Sequence, residues 1–259
     1  LINEVLITKP ILSEKVWGNN ELNNLFNYNS ETPLGEIWLY SPYKKNESIL
    51  SGLNSKEVYG KASEIFPNFK LLIKLIYTSK WLSVQLHPND TMAKKLENEE
   101  NGKTEAWFFL KDNGRLKISN ENKKIIDSLK NNDWNLKEYE MNKNDIAFIP
   151  AGTIHTLGPN SMILEVQQSS NITYRLYDWG RKREIHIDKA IKVLENVESN
   201  YSISRKSNGF ESKYFNFNII ENVEKEGFGV YVSLKDFTTL VLPENIKHKF
   251  TGQWFEVKK

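Results

Sequence analysis

Trp81-Leu82-Ser83-Val84-Gln85-Leu86-His87-Pro88 is the stretch on which the fold turns. Alternation along an extended strand sends Ser83, Gln85 and His87 to one face and Leu82, Val84 and Leu86 to the other. The apolar row needs a core. The polar row faces a second space, where burying Gln beside His costs several kcal/mol unless hydrogen bonds or a metal satisfy both. A second fragment, Phe148-Ile149-Pro150-Ala151-Gly152-Thr153-Ile154-His155, makes a tight connection: Pro presets φ, Gly admits positive φ, and His155 emerges three residues later. Asn144-Asp145 supplies the turn before it. A third, Gly102-Lys103-Thr104-Glu105-Ala106-Trp107-Phe108-Phe109, carries a carboxylate into an otherwise apolar strand, where Glu105 needs a partner.

Outward from these fragments, short apolar, β-branched or aromatic runs recur between Asn, Gly, Pro and Lys clusters. They predict strands over 69–77, 81–87, 106–110, 145–149, 161–166 and 173–177, then over 214–220, 229–234, 237–242 and 254–257. Helical spacing is confined to 90–98, 121–131 and 188–197, the last behind Asp188 as N-cap. No βαβ alternation is present. The fold class is therefore mainly β, a jelly roll or two related sandwiches with a few short helices. A polar, Ser-rich stretch at 198–208 is read as joining two β parts, residues 1–197 as the metal-binding half with helical insertions and 198–259 as a shortened C-terminal half.

A chain of 259 residues with 39% apolar and 12% aromatic side chains can bury a core without crosslinks. Thirty-five Lys and Arg against 33 Asp and Glu leave a net charge of +2, so no nucleic-acid or membrane-surface partner is expected. The absence of cysteine excludes disulfides, thiolate nucleophiles and cysteine-held metals, so any metal must have N and O ligands. The expected setting is the cytoplasm, as a monomer or homodimer, with neither a secretory leader nor a membrane span. The chain opens on Leu, not Met, so a few residues are expected to precede it.

Four histidines occur: His87, His155, His186 and His248. Two imidazoles, the Glu105 carboxylate and the Gln85 amide oxygen make a chemically credible zinc site. His87, His155 and Glu105 equally suit non-haem iron, and hydrogen-bonded histidines beside a salt-bridged Glu are the metal-free reading. Glu165 and Gln167 share a strand face, with Arg175 on the next strand; Glu165 and Arg175 either pair structurally or flank a substrate. Arg181-Lys182-Arg183 is either a phosphate handle or a solvated loop. His186 and His248 read as structural or surface residues, and Trp17, Trp38, Trp107 and Trp179 as core.

Six ordered motifs then resemble the type I mannose-6-phosphate isomerases in their short bacterial form. They are Val16-Trp17-Gly18, Leu34-Gly35-Glu36-Ile37-Trp38, Leu82 to Asp90, Gly102 to Trp107, Ile149 to His155, and Gln167-Gln168-Ser169-Ser170 leading to Tyr174-Arg175-Leu176-Tyr177-Asp178-Trp179. The resemblance covers residues from about 10 to 197 and is weak beyond. It implies a cupin-type sandwich, one zinc ion (Zn2+) per chain, and interconversion of mannose 6-phosphate with fructose 6-phosphate. By position it implies Gln85, His87, Glu105 and His155 as metal ligands and Arg175 as the active-site arginine. It places Lys103, Glu165, Lys74 and Ser83 along the pocket for a small phosphosugar. Glu165 and Lys103 are both eligible as general base. Rival expectations are a non-catalytic cupin that senses sugar phosphates and an iron dioxygenase on the same sandwich.

Overall fold

The computed structural model describes residues 2–119 and 136–259; the helix expected over 121–131 lies outside the described residues. The chain divides into two compact units. One, the histidine unit, comprises Ser13–Glu36 and Leu75–Lys206; the other comprises Leu1–Leu12, Ile37–Lys74 and Ser207–Lys259.

In the histidine unit an antiparallel sheet runs in the order Lys137–Met141, Gly114–Ser119, Ile154–Leu157, Val84–Leu86, Tyr174–Tyr177. Ser202–Ser204, Ile146–Ile149, Glu105–Phe109 and Met162–Gln168 are neighbours, in that order, in a second antiparallel sheet. Trp107, Phe109 and Ile163 of the second sheet share one core with Leu116, Ile118 and Leu157 of the first. Each such burial is worth about 1.5–3 kcal/mol.

Register places the polar residues against this core. Gln85 is the direct cross-strand partner of both His155 and Arg175, and His155 is also opposite Ile118. Opposed residues share a face, so Arg175, Gln85 and His155 stand side by side on the inner surface. On the second sheet Glu105 is opposite Gln167 and Ile149, and Trp107 is opposite Glu165. The interior thus has an apolar end and a polar end. On the outer face of the first sheet, Val84, Leu86, Ile154 and Tyr174 pack with Ala190, Val193 and Leu194 of the helix Ile187–Asn196.

That helix starts earlier than the sequence indicates. His186, not Asp188, occupies the cap position, with no side-chain capping bond, while Asp188 sits in the first turn, where its charge favours the helix N-terminus. The helix Asp90–Glu97 keeps its expected start: Asn89 caps it by accepting the Met92 N–H at 2.9 Å, and Asn98 ends it at φ 55.

In the other unit an eight-stranded sheet includes Thr239–Leu242, Leu6–Thr8 and Ile49–Gly52 as consecutive neighbours, around a core containing Tyr231, Leu242 and Phe250. Because Leu6–Thr8 pairs on one side with a strand near the C-terminus and on the other with an early one, Ser207–Lys259 groups with N-terminal segments. A boundary after residue 197 does not express this grouping. Nor is 198–208 a plain connector, since Ser202–Ser204 pairs with Ile146–Phe148. Trp17, Trp38 and Trp107 are buried, but Trp179 is not a core residue: it is 37% exposed, at φ 54 in a turn, and its indole N–H donates to the Leu82 carbonyl at 2.5 Å. No described helix is long and apolar enough to cross a membrane.

Candidate active site

Glu105 opens its strand, His155 and Gln85 lie within theirs, and His87 follows immediately after Val84–Leu86. The donor atoms of His87, Glu105 and His155 all lie within 4.8 Å of one another, and all three residues are buried. His87 Nε2 is 3.6 Å from Glu105 Oε2, and His155 Nε2 is 3.2 Å from Oε1. Two donors each about 2.1 Å from a tetrahedral ion stand about 3.4 Å apart, so these separations suit ligands of one ion.

The far nitrogens set the tautomers. His87 Nδ1 lies 2.9 Å from the Ile172 carbonyl and His155 Nδ1 3.0 Å from that of Thr153. A carbonyl only accepts, so both Nδ1 atoms carry a proton, which in a neutral imidazole leaves the lone pair on Nε2, facing Glu105. Burial, helped by the Lys103 ammonium, pushes the His87 imidazole down to about 3, which keeps it neutral. Glu105 is wholly buried, and neither of its oxygens completes a well-aligned hydrogen bond among the described residues. Two lone pairs converging on an under-satisfied carboxylate are a donor set that could hold a metal ion.

Lys103 adds the local positive charge. Its Nζ is 2.8 Å from Glu105 Oε2 and 3.3 Å from His87 Nε2. Burial works against a charged Glu105, but the Lys103 ammonium and the two imidazoles together outweigh it and hold the carboxyl well below the usual range. Burial likewise works against a charged Lys103; Glu105 first, then Glu165, outweigh it and raise the ammonium's pKa. The backbone N–H groups around Lys103 are all engaged. Gly102 N–H donates to Asp90 Oδ1, Lys103 N–H to the Pro88 carbonyl and Thr104 N–H to Gln168 Oε1, at 2.8, 2.9 and 3.0 Å. Gln168 Nε2 closes the ring on Asp90 Oδ1 at 2.8 Å. Gly102 is required here, because a Cβ would lie 2.4 Å from the Pro88 oxygen.

Gln85 turns its Nε2 toward His155 Nε2 at 3.5 Å, while Oε1 accepts from the Ser83 hydroxyl at 2.9 Å. Turning the amide over exchanges the two ends, and a hydroxyl can serve either. Glu165 Oε2 accepts the Trp107 indole N–H at 3.0 Å, and the Trp107 ring stands edge-on to His155 at 5.4 Å. Trp107 is therefore core and also the support of two site residues. The structure brings Ser83, Gln85, His87, Lys103, Glu105, His155 and Glu165 together, with Arg175 beside Gln85. Lys74 belongs to the other unit, buried with its Nζ 5.0 Å from the Trp38 ring centroid. The support given by Asp90, Gln168 and Trp107 is new; the motifs containing them marked the region without revealing it, and the two carbonyls that fix the imidazoles have no sequence signal.

The His87 environment gives the metal-free chain an acid sensitivity. Between pH 6.5 and about 3 the unfolded chain binds a proton on His87 that the folded chain does not. Stability contributed by the neutral ring is therefore present above the unfolded value and lost on acidification, at up to about 1.4 kcal/mol per pH unit. Melting of chelator-treated protein from pH 7 to 4 is expected to fall more steeply for wild type than for His87→Gln; parallel curves would contradict this.

Comparison with known proteins supplies the relationship. The model of the phosphomannose isomerase type I catalytic domain matches residues 6–113. The probable mannose-6-phosphate isomerase GmuF of Bacillus subtilis is 32% identical over 252 residues, covering 87% of this chain and 78% of that protein. This chain belongs to the type I phosphomannose isomerase family. Another relative, the mannose-6-phosphate isomerase of Streptococcus mutans, is 37% identical over 216 residues, covering 74% of this chain and 68% of its own. The crystal structure of the Bacillus subtilis mannose 6-phosphate isomerase superposes with a TM-score of 0.79 at 22% identity, over 99% of this chain and 100% of that one. That likeness carries the cupin fold of this phosphomannose isomerase family member.

Proposed function

We propose that this chain interconverts mannose 6-phosphate and fructose 6-phosphate, using one zinc ion held by Gln85, His87, Glu105 and His155. The observation that carries this reading is the pair of buried histidines, each anchored through Nδ1 to a backbone carbonyl and turning Nε2 toward Glu105, with Lys103 within hydrogen-bond distance of the carboxylate. Bound there, the ion supplies Lewis-acid polarisation of oxygens on the reacting carbons.

The remaining chemistry is done by side chains. Isomerisation removes a proton from the carbon next to the carbonyl, leaving an enediolate, and returns it to the former carbonyl carbon, while the former carbonyl oxygen gains a proton and the neighbouring hydroxyl oxygen loses one to become the new carbonyl. Glu165, its carboxylate oriented by Trp107, is the group for that transfer. Lys103, 2.8 Å from Glu105, is placed as an ammonium to stabilise negative charge on the enediol oxygens. Arg175 keeps its proton and donates to sugar or phosphate oxygens. Ser83, bonded to Gln85, orients that ligand and borders the sugar. The low exposure of Gln85, His87, Lys103 and Glu105 excludes bulk water from the developing charge.

A coupled assay that follows fructose 6-phosphate formed from mannose 6-phosphate tests the reading. Turnover is expected to fall at least about a hundredfold on chelation and to return when zinc is restored. A zinc-loaded chain that forms no product would replace this reading with a sugar-phosphate sensor, and oxygen uptake by the iron-loaded chain with a dioxygenase.

A further inference from the structure

Arg175 is gripped by a segment that returns to it 11 residues later. Among the described residues the strand Tyr174–Tyr177 is an edge of its sheet, and within that sheet it pairs only with Val84–Leu86. The outward N–H and C=O of Arg175 therefore have no neighbouring strand among the described residues. His186 takes both: the Arg175 N–H donates to His186 Nδ1 at 3.2 Å, and the His186 N–H donates to the Arg175 carbonyl at 2.7 Å. An imidazole nitrogen stands where the next strand would offer a carbonyl. A third tie holds the side chain, since Arg175 Nη1 donates to the Glu184 carbonyl at 2.7 Å.

The intervening loop is stapled so that this grip is kept. Asp178, 2% exposed, accepts from Arg181 Nη2 at 2.7 Å and from Arg183 Nη2 at 2.6 Å. These two cations are thus committed to a buried carboxylate within the loop. Arg175 shares the inner face with Gln85, and its Nε is buried without a hydrogen-bond partner among the described residues. Among the described residues one of the guanidinium's five N–H donors, on Nη1, is tied back, which leaves others for a ligand.

We propose that His186 is a positioning residue for Arg175, its Nδ1 and backbone N–H locking the edge strand so that the guanidinium is presented to the sugar phosphate in one orientation. This rests on the isomerase reading above for its functional consequence, whereas the clasp itself is a property of the fold. The side-chain requirement is narrow: an acceptor at the Nδ1 position. Asn places its amide oxygen there; Gln reaches the Nε2 position instead, and Ala offers nothing.

The test combines hydrogen exchange of the peptide spanning Arg175 with steady-state kinetics and metal analysis, on zinc-loaded wild type, His186→Ala, His186→Asn and His186→Gln. The Ala and Gln variants are expected to exchange the Arg175 amide at least about tenfold faster and to lose about ten- to a hundredfold in kcat, with metal content unchanged and KM altered less. The Asn variant is expected to recover both protection and most of kcat. Wild-type exchange and kcat in the Ala variant would overturn the proposal, as would an Asn variant no better than Gln; that pair decides the matter even if the Ala chain fails to fold. If wild type has no isomerase activity the functional reading fails by itself, and the exchange data still decide the clasp.

Discussion

His155→Ala is expected to lose bound metal and turnover together. His155 is fully buried, anchored through Nδ1 to the Thr153 carbonyl, with Nε2 3.2 Å from Glu105 Oε1. Truncation removes one lone pair from the donor set and leaves a void beside the buried carboxylate. Loss of groups that merely orient ligands typically costs ten- to a hundredfold in metal affinity, so loss of a ligand should cost at least about a hundredfold. Dialysis against a chelating buffer followed by metal analysis reads this directly. Arg175→Ala, by contrast, should keep its metal within about twofold and lose about 10²–10³ in kcat, the cost of removing one preorganised donor to developing charge. Equal metal loss in both variants would overturn the separation of roles.

The second large effect separates base from charge stabiliser. Glu165→Gln keeps an acceptor for the Trp107 indole and so should fold as wild type, while losing about 10²–10⁴ in kcat together with the incorporation of solvent deuterium into product. Lys103→Met should slow turnover by about 10²–10³ with the proton-transfer path still present. It also removes the ammonium 2.8 Å from Glu105, so that carboxyl rises toward the ordinary range. Its charged form, present above the folded-state pKa, is then lost at a higher pH, and metal retention should fail at a less acid pH than in wild type. Wild-type deuterium incorporation in the Glu165→Gln variant would return the base role to Lys103.

Different parts of this site were legible to different degrees. Ser83, Gln85 and His87 announce themselves through strict alternation, and Glu105 through its isolation among Ala106, Trp107 and Phe108. Strand starts and ends shifted by a few residues, as at Leu71–Tyr77 against the expected 69–77, because hydrogen-bonding partners decide where a ladder stops. Short strands such as Gly114–Ser119 and Ile154–Leu157 escaped notice: their mixed composition reads as turn until neighbours cover one face. By sequence His186 reads only as a structural or surface residue, because nothing local records that an edge strand lacks a partner.

What the amino-acid sequence by itself determined is the inventory: a β-rich chain without cysteine, limited to N and O donors, with two histidines, a carboxylate and an amide set on strands of known period. Those are local properties, governed by side-chain chemistry and backbone geometry over a few residues. Only the tertiary structure decided that Gln85 lies between His155 and Arg175, that Glu105 comes to the same point from another sheet, and that backbone carbonyls turn both imidazoles inward. The pairings His155–Gln85 and Gln167–Glu105 join residues far apart in the chain. Such pairings are selected by which register buries the most apolar surface while leaving the fewest polar groups unpaired, a comparison among whole folds that no local pattern contains.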